Sequence, residues 1–298
     1  MTIYDQIASN RRKTFVVMTL FVFVISLLCY VFGEIYGGSG AGVYVMIMGV
    51  GFSSLSAVSS YYFSGKIVLS IAGAKKVERA ELPVVYGDLE NLCIGSGIKK
   101  NPDLYLIDDT AINAFATGRD PDHAVVCVTK GLLERLNKRE VEAVLAHELS
   151  HVKNYDIRLM TIVVILVGSI TMIANILLRS NFRRSSDSKS GGGILLLVGI
   201  VLAILSPLIA ELIKFAVSRN REYLADSSAA LLTRDPEGLA SALEKISTDT
   251  EVLEVANEAT AHMYISNPLV KNLNASRVAN LFNTHPPIAE RISRLRSM

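Results

Sequence analysis

The sequence is short of charge. Only 19% of its 298 residues are Asp, Glu, Lys or Arg, and half are hydrophobic, whereas an ordinary soluble domain carries about 25% charged residues. That excludes a disordered chain and argues against a typical cytosolic protein. Net charge is small too, because 30 Lys and Arg against 28 Asp and Glu leave +2, which gives no electrostatic case for a nucleic-acid partner. Cysteine is sparse: Cys29, Cys93 and Cys127 are odd in number and widely spaced, so neither a disulfide framework nor a Cys-x-x-Cys metal site can be drawn. They fit a reducing compartment and read as small apolar residues. No internal repeat is visible at periods of about 20 to 50 residues.

The missing charge is confined to four stretches without a single Asp, Glu, Lys or Arg: Thr14–Phe32, Ala41–Phe63, Leu159–Leu178 and Ile194–Ala210. They are 19, 23, 20 and 17 residues long, and a bilayer core of about 30 Å needs roughly 17 to 25 helical residues. All four can span. Arg11, Arg12 and Lys13 precede the first run, but 19 apolar residues exceed the core of a signal peptide, and no small-residue cleavage site follows, so the run reads as an anchor. The same basic residues, set against a Gly33–Gly40 loop carrying only Glu34, place the N-terminus in the cytoplasm. Lys66, Lys75 and Lys76 after the second run agree. The Arg179–Gly193 loop resists this scheme, since it should be external yet holds Arg179, Arg183, Arg184 and Lys189 against Asp187. Either the first hairpin dominates the topology, or the third and fourth runs enter without crossing fully. Outside the four runs charged residues make up about 26%, an ordinary soluble value.

The expected organisation is an N-terminal tail and membrane hairpin (1–63), a cytosolic part (64–156), a second hairpin (157–216) and a second cytosolic part (217–298). In the first cytosolic part Pro83 starts a helix that Gly95-Ser96-Gly97 ends. Three short β-type runs follow, Leu104–Ile107, Ile112–Thr117 and Ala124–Thr129, the last two joined by Gly118-Arg119-Asp120-Pro121-Asp122, and a small antiparallel sheet is the economical reading. Lys138-Arg139-Glu140 opens a helix through about Asn154, with Val141, Val144, Leu145, Leu149 and Val152 at helical spacing. After the fourth run Glu211–Leu232 reads as helical, and further helices start at Pro236 and Pro286-Pro287.

The helix from Glu140 contains His147-Glu148-Leu149-Ser150-His151. Four residues is about one helical turn, so both imidazoles reach one face and can hold a zinc ion, while Glu148 is placed to take a proton from water activated there. A third ligand is wanted, and Glu222 is the best candidate. In Arg219-Asn220-Arg221-Glu222-Tyr223-Leu224-Ala225-Asp226 it sits one turn before Asp226, which could accept the free N–H of a ligating histidine; a solvated acidic face is the ordinary alternative. His147 lies 12 residues before the third run and Glu222 12 residues after the fourth. If their helices continue unbroken, both stand about 18 Å beyond one membrane boundary.

Three segments carry a family resemblance: HELSHVKNYD (147–156), RNREYLAD (219–226) and LFNTHPPIAERISRL (281–295). Together with the order of the apolar runs, the chain resembles the HtpX membrane metallopeptidases, heat-shock proteases related to the CAAX prenyl proteases, over essentially its whole length. The resemblance implies a mainly α-helical membrane protein with a zincin-like catalytic domain on a four-helix transmembrane anchor. It implies one zinc ion held by His147, His151 and Glu222, with Glu148 as catalytic acid and base. It further implies a multi-pass protein of the cytoplasmic (inner) membrane whose active site faces the cytoplasm and cleaves unfolded, damaged or misassembled membrane proteins without ATP. Asn113, Ala114 and Phe115 resemble the edge strand laid along the cleft, which could add an extended peptide as another strand; an Asn in a turn before a strand is the plain alternative for Asn113. His285 and Arg291 match positions that approach the substrate, where a donor would stabilise the oxyanion, although Arg291, Arg294 and Arg296 could equally form a solvated basic face.

Two rival readings share the metal motif. A CAAX-type protease for prenylated C-termini needs a lipid-accommodating chamber, normally built from more spans. An inactive zinc-stabilised scaffold or chaperone is weighed against by the intact Glu148. A transporter is excluded more cheaply, because the four runs hold no Asp, Glu, Lys, Arg or His at membrane depth. Cleavage preference, oligomeric state and a lid role for Asn257–Asn283 lie beyond the sequence.

Overall fold

The computed structural model describes residues 3–168, 219–256, 260–266, 268 and 286–298. Two long helices open the chain, α1 (Ile3–Gly37) and α2 (Ala41–Ile71). Gly38 and Gly40, at φ 81° and 90°, make the left-handed turn between them. The Glu34 carboxylate accepts from the N–H groups of Gly40 and Gly42 at 3.3 and 3.1 Å, satisfying orphan donors at the start of α2. The inner face of α2 is a stripe of small residues, Gly42, Gly49, Ser53, Ala57, Ser60 and Ser64, which lets the backbones approach as membrane helices do. A Cβ on Gly33 would come within 2.7 Å of the Gly42 Cα. The outer face presents Tyr44, Ile47, Met48, Phe52 and Leu55 to the surroundings, each at least 60% exposed. So much unpartnered apolar surface calls for lipid. Within the described residues two segments are long and apolar enough to cross a membrane, Ile7–Glu34 and Ala41–Ile71. The first ten residues of the third apolar run belong to a helix, α6, over residues 156–168, whose Leu159, Ile162, Val163 and Leu166 pack on Val17, Phe21 and Ile25 of α1. The rest of that run, the fourth run and the Arg179–Gly193 loop lie outside the described residues.

The soluble part is built on strands β1 (Lys75–Lys76), β2 (Asp103–Ile107), β3 (Ala114–Gly118) and β4 (Ala124–Thr129). The sheet is mixed, in the order β1-β2-β4-β3, and because β2 pairs parallel to β4 it is not the purely antiparallel sheet expected from the sequence. After Ile107 the chain crosses beside the helix that follows β4, α4 (Lys130–Arg135). Gly131 donates to the Asp109 carbonyl at 2.9 Å, and a Cβ at Gly131 would run into the Thr110 carbonyl. The crossing carries β3 to the far edge, and β4 returns by the hairpin into the slot between β3 and β2. Val126, Cys127, Val128 and Thr129 of β4 are fully buried, as a continuous apolar strand in a central position should be. The two-residue β1 is exposed and carries only lysines, a short charged edge.

One face of the sheet packs on α3 (Pro83–Ser96) and α5 (Lys138–Lys153). Pro83 starts α3 and Gly97, φ 78°, ends it, as expected from the sequence. α5 begins with a reciprocal capping box between Asn137 and Glu140. Helices α7 (Arg219–Thr233) and α8 (Pro236–Thr248) pack against it, and α9 (Ile288–Arg296) packs on those two. The other face of the sheet packs Ile107, Phe115 and Cys127 against Val68 and Leu69 of α2 and against Met263 and Tyr264. The helix carrying the histidines does not run on into the membrane. Asn154 caps it and Tyr155, at φ 59°, turns the chain before α6, so the unbroken-helix height argument does not hold on this side.

Candidate active site

Because α5 is surrounded, its polar face at His147, Glu148 and His151 is buried rather than solvated. α7 crosses it and brings Glu222 to the same point. The Nε2 atoms of His147 and His151 are 3.2 Å apart, and the Glu222 carboxylate lies 3.8 Å from the first and 3.6 Å from the second. Bonds of about 2.0–2.1 Å at tetrahedral angles separate neighbouring ligand atoms by about 3.3 Å, so these three atoms trace the edges of one small coordination polyhedron. All three side chains are buried, so their charges are weakly screened.

The far nitrogens explain why the near ones converge. His147 Nδ1 is 3.0 Å from Asp226 Oδ1, and His151 Nδ1 is 3.1 Å from Asp156 Oδ2. The hydrogen bond from His151 Nδ1–H to Asp156, and the Asp226 carboxylate facing His147 Nδ1, favour the tautomers that leave the Nε2 lone pairs for a metal. Two lone pairs and a carboxylate pointed at one spot repel unless a cation lies between them, so the donor set fits a metal ion. The potential agrees. Burial opposes charge on His151, yet Asp156, Glu222 and Glu148 draw it up to about 9, whereas burial lowers His147.

Glu148 is 2% exposed, and burial, with the charge of Glu222 adding, pushes its carboxyl up to about 7. The backbone of Ala116 on β3 lies close enough to favour its ionised form against that shift. β3 is the sheet edge, and its outward groups alternate along this cleft. Asn113 Nδ2 donates to the Ser266 carbonyl at 3.1 Å, Ile265 N–H to the Ala114 carbonyl at 3.0 Å, and the Phe115 ring meets Tyr264 edge-on at 5.1 Å. The contacts step in opposite directions along the two segments, so Tyr264–Ser266 lies antiparallel on the edge at Asn113, Ala114 and Phe115. The carbonyl oxygen of the Asn113 side chain also accepts from Ala114 N–H at 3.1 Å.

Arg291 joins neither a solvated face nor the open cleft. It is fully buried, forks onto Asp226 at 2.7 and 2.8 Å and donates to the Ile265 carbonyl at 3.1 Å. Although burial resists ionisation of Asp226, Arg291 and then His147 hold its carboxyl down at about 2. His285 lies outside the described residues. Asp156 was not singled out from the sequence, although it ends the HELSHVKNYD segment. Five residues on an unbroken helix would point it about 140° away from His151, and only the left-handed turn at Tyr155 swings it back.

Residues 85–298, more than two thirds of the chain, match Peptidase family M48. The chain belongs to peptidase family M48. It is 44% identical over 297 residues to a protease HtpX homolog of Dictyoglomus turgidum, covering 100% of this chain and 95% of that one. A protease HtpX homolog of Thermoanaerobacter pseudethanolicus is 41% identical over 303 residues, covering 100% and 98%. The crystal structure of S. mikatae Ste24p matches at a TM-score of 0.48 and 18% identity, over 98% of this chain and 67% of that one. The M48 peptidase is a metalloprotease of HtpX type, and two helices among its described residues are long and apolar enough to cross a membrane.

Proposed function

We propose that this chain is a zinc endopeptidase that cleaves unfolded, damaged or misassembled membrane proteins on the cytosolic side of the cytoplasmic membrane. The observation that carries it is the convergence of His147, His151 and Glu222 beside a buried Glu148 and an edge strand, on the side of the membrane hairpin where its N-terminal residues lie. His147, His151 and Glu222 would hold the ion, with Asp226 and Asp156 fixing the imidazoles. Zinc, when bound, supplies a Lewis acid that polarises the scissile carbonyl and acidifies water. Glu148, whose carboxyl lies near neutrality, takes a proton from water and returns it to the leaving amine nitrogen. Ala114 and Ala116 offer outward backbone groups to an extended peptide, and the Tyr264–Ser266 segment must leave the edge for that pairing to reach Ala114. Such recognition needs no particular side chains, which suits a substrate defined by being unfolded. The cytosolic assignment rests on Arg11, Arg12 and Lys13, which stand at the end of α1 that meets the catalytic part.

The substrate class is tested with purified full-length protein in detergent, offered an unfolded membrane protein and, in parallel, a prenylated C-terminal peptide. Cleavage of the first at internal bonds supports the reading; processing of the prenylated peptide alone overturns it in favour of CAAX-type activity.

A further inference from the structure

The first membrane helix reaches the metal site through one side chain. Asn10 lies on α1, four residues before the apolar run begins at Thr14, and is 2% exposed. Its Nδ2 donates to Asp156 Oδ1 at 2.7 Å and to the Asn154 carbonyl at 3.0 Å, and its Oδ1 accepts from Arg221 at 3.2 Å. Both donors and the acceptor are therefore committed. The opposite amide orientation would set NH2 against a guanidinium and oxygen against two acceptors, so the assignment is unambiguous.

These contacts converge on Asp156, itself 1% exposed. Its Oδ1 receives Asn10 and, at 3.3 Å, Arg221, while its Oδ2 holds His151 Nδ1 at 3.1 Å. Arg221 is the chain neighbour of Glu222. One amide thus ties together the turn after the helix of His147 and His151, the carboxylate that orients His151, and the helix that supplies Glu222. An anchor needs none of this: an apolar residue at position 10 would bury as well at less desolvation cost, and the packing of α1 on α6 is supplied separately by Val17, Phe21 and Ile25.

We propose that Asn10 is a positioning residue of the metal site: through Asp156 it fixes the ring of His151, so that α1 completes the site as well as anchoring it. This rests on the metallopeptidase reading above. Asn10 touches neither ligand nor substrate, and its effect is on how well the three ligands are preorganised.

The test uses the full-length protein in detergent with the variants Asn10→Ala, the isosteric Asn10→Asp, and Val17→Ala as a packing control. Zinc affinity is measured by chelator competition, the visible spectrum with cobalt in place of zinc, and Tm by thermal unfolding. Both Asn10 variants are expected to bind zinc about tenfold more weakly and to alter the cobalt spectrum. Val17→Ala is expected to lower Tm with affinity and spectrum unchanged. Wild-type affinity and spectrum in Asn10→Ala and Asn10→Asp overturn the proposal. So does an equal loss of zinc affinity in Val17→Ala, or unfolding of both Asn10 variants, since either makes Asn10 a structural requirement only. Failure of the wild-type chain to bind zinc is a different outcome, and it overturns the metal-centre reading itself.

Discussion

Asp226 is shared between a ligand and an anchor: one carboxylate faces His147 Nδ1 at 3.0 Å and takes the forked guanidinium of Arg291 at 2.7 and 2.8 Å. The helix that ends the chain is thereby locked to the histidine pair. Removing Arg291 strands a buried carboxylate beside a second one, Glu222. Arg291→Met is predicted to cost about 3–5 kcal/mol, the usual penalty for breaking a buried pair from one side. Arg291→Lys keeps the charge but loses the fork and falls between. Thermal unfolding of the purified variants checks the order.

The cleft is predicted to be gated at the β3 edge. Ala114 and Ile265 are both buried in the core cluster on one face of the sheet and are joined by a backbone hydrogen bond of 3.0 Å. A double variant, Ala114→Cys with Ile265→Cys, should therefore form a disulfide under oxidation and hold the segment in place. Peptide turnover is expected to stop on oxidation and to return with reductant. Equal turnover in the oxidised and reduced forms would mean that substrates do not use this edge.

Glu140 supplies a pH-dependent contribution. Burial opposes its ionisation, but Lys245, Ser241 and the Asn137 N–H outweigh this and lower its carboxyl, with Lys245 at 2.7 Å and Ser241 at 2.6 Å. A group held lower in the folded than in the unfolded chain stabilises fully above its unfolded value and loses that contribution as pH falls below it. Glu140→Gln is predicted to cost about 1–2 kcal/mol at pH 7. The gap to the wild type should close as pH drops through and below about 4. Paired unfolding measurements across that range provide the check.

Membrane orientation has its own prediction. A cysteine at Ser39, in the turn between α1 and α2, should react with an impermeant maleimide in intact cells. A cysteine at Lys99, beyond the end of α3, should react only after permeabilisation. The reverse pattern would place the active site outside.

What the sequence made legible was local. The histidine helix, the bounds of α3 and the strand Ala124–Thr129 follow from periodicity and from Pro and Gly at helix ends, and each is decided within a few residues. Glu222 was legible because it shares a short motif with Asp226 one turn away. Strand order was not, since insertion of β4 between β2 and β3 depends on the packing of Gly131 against Thr110, which no apolar alternation encodes. Two lysines give β1 no pattern. Arg291 was ambiguous for a related reason: a basic helix face looks the same in sequence whether it meets water or a buried carboxylate. Asn10 lies 146 residues from Asp156, a distance over which only the folded chain connects them.

The central claim is that Glu148 moves the proton at a metal site built by His147, His151 and Glu222. Cleavage of an unfolded membrane protein by the wild type and by Glu148→Gln, each at matched zinc content, tests it most directly. The predicted result is equal zinc binding, one ion per chain, with turnover reduced by at least about a hundredfold. Undiminished turnover in Glu148→Gln at full zinc occupancy would contradict it.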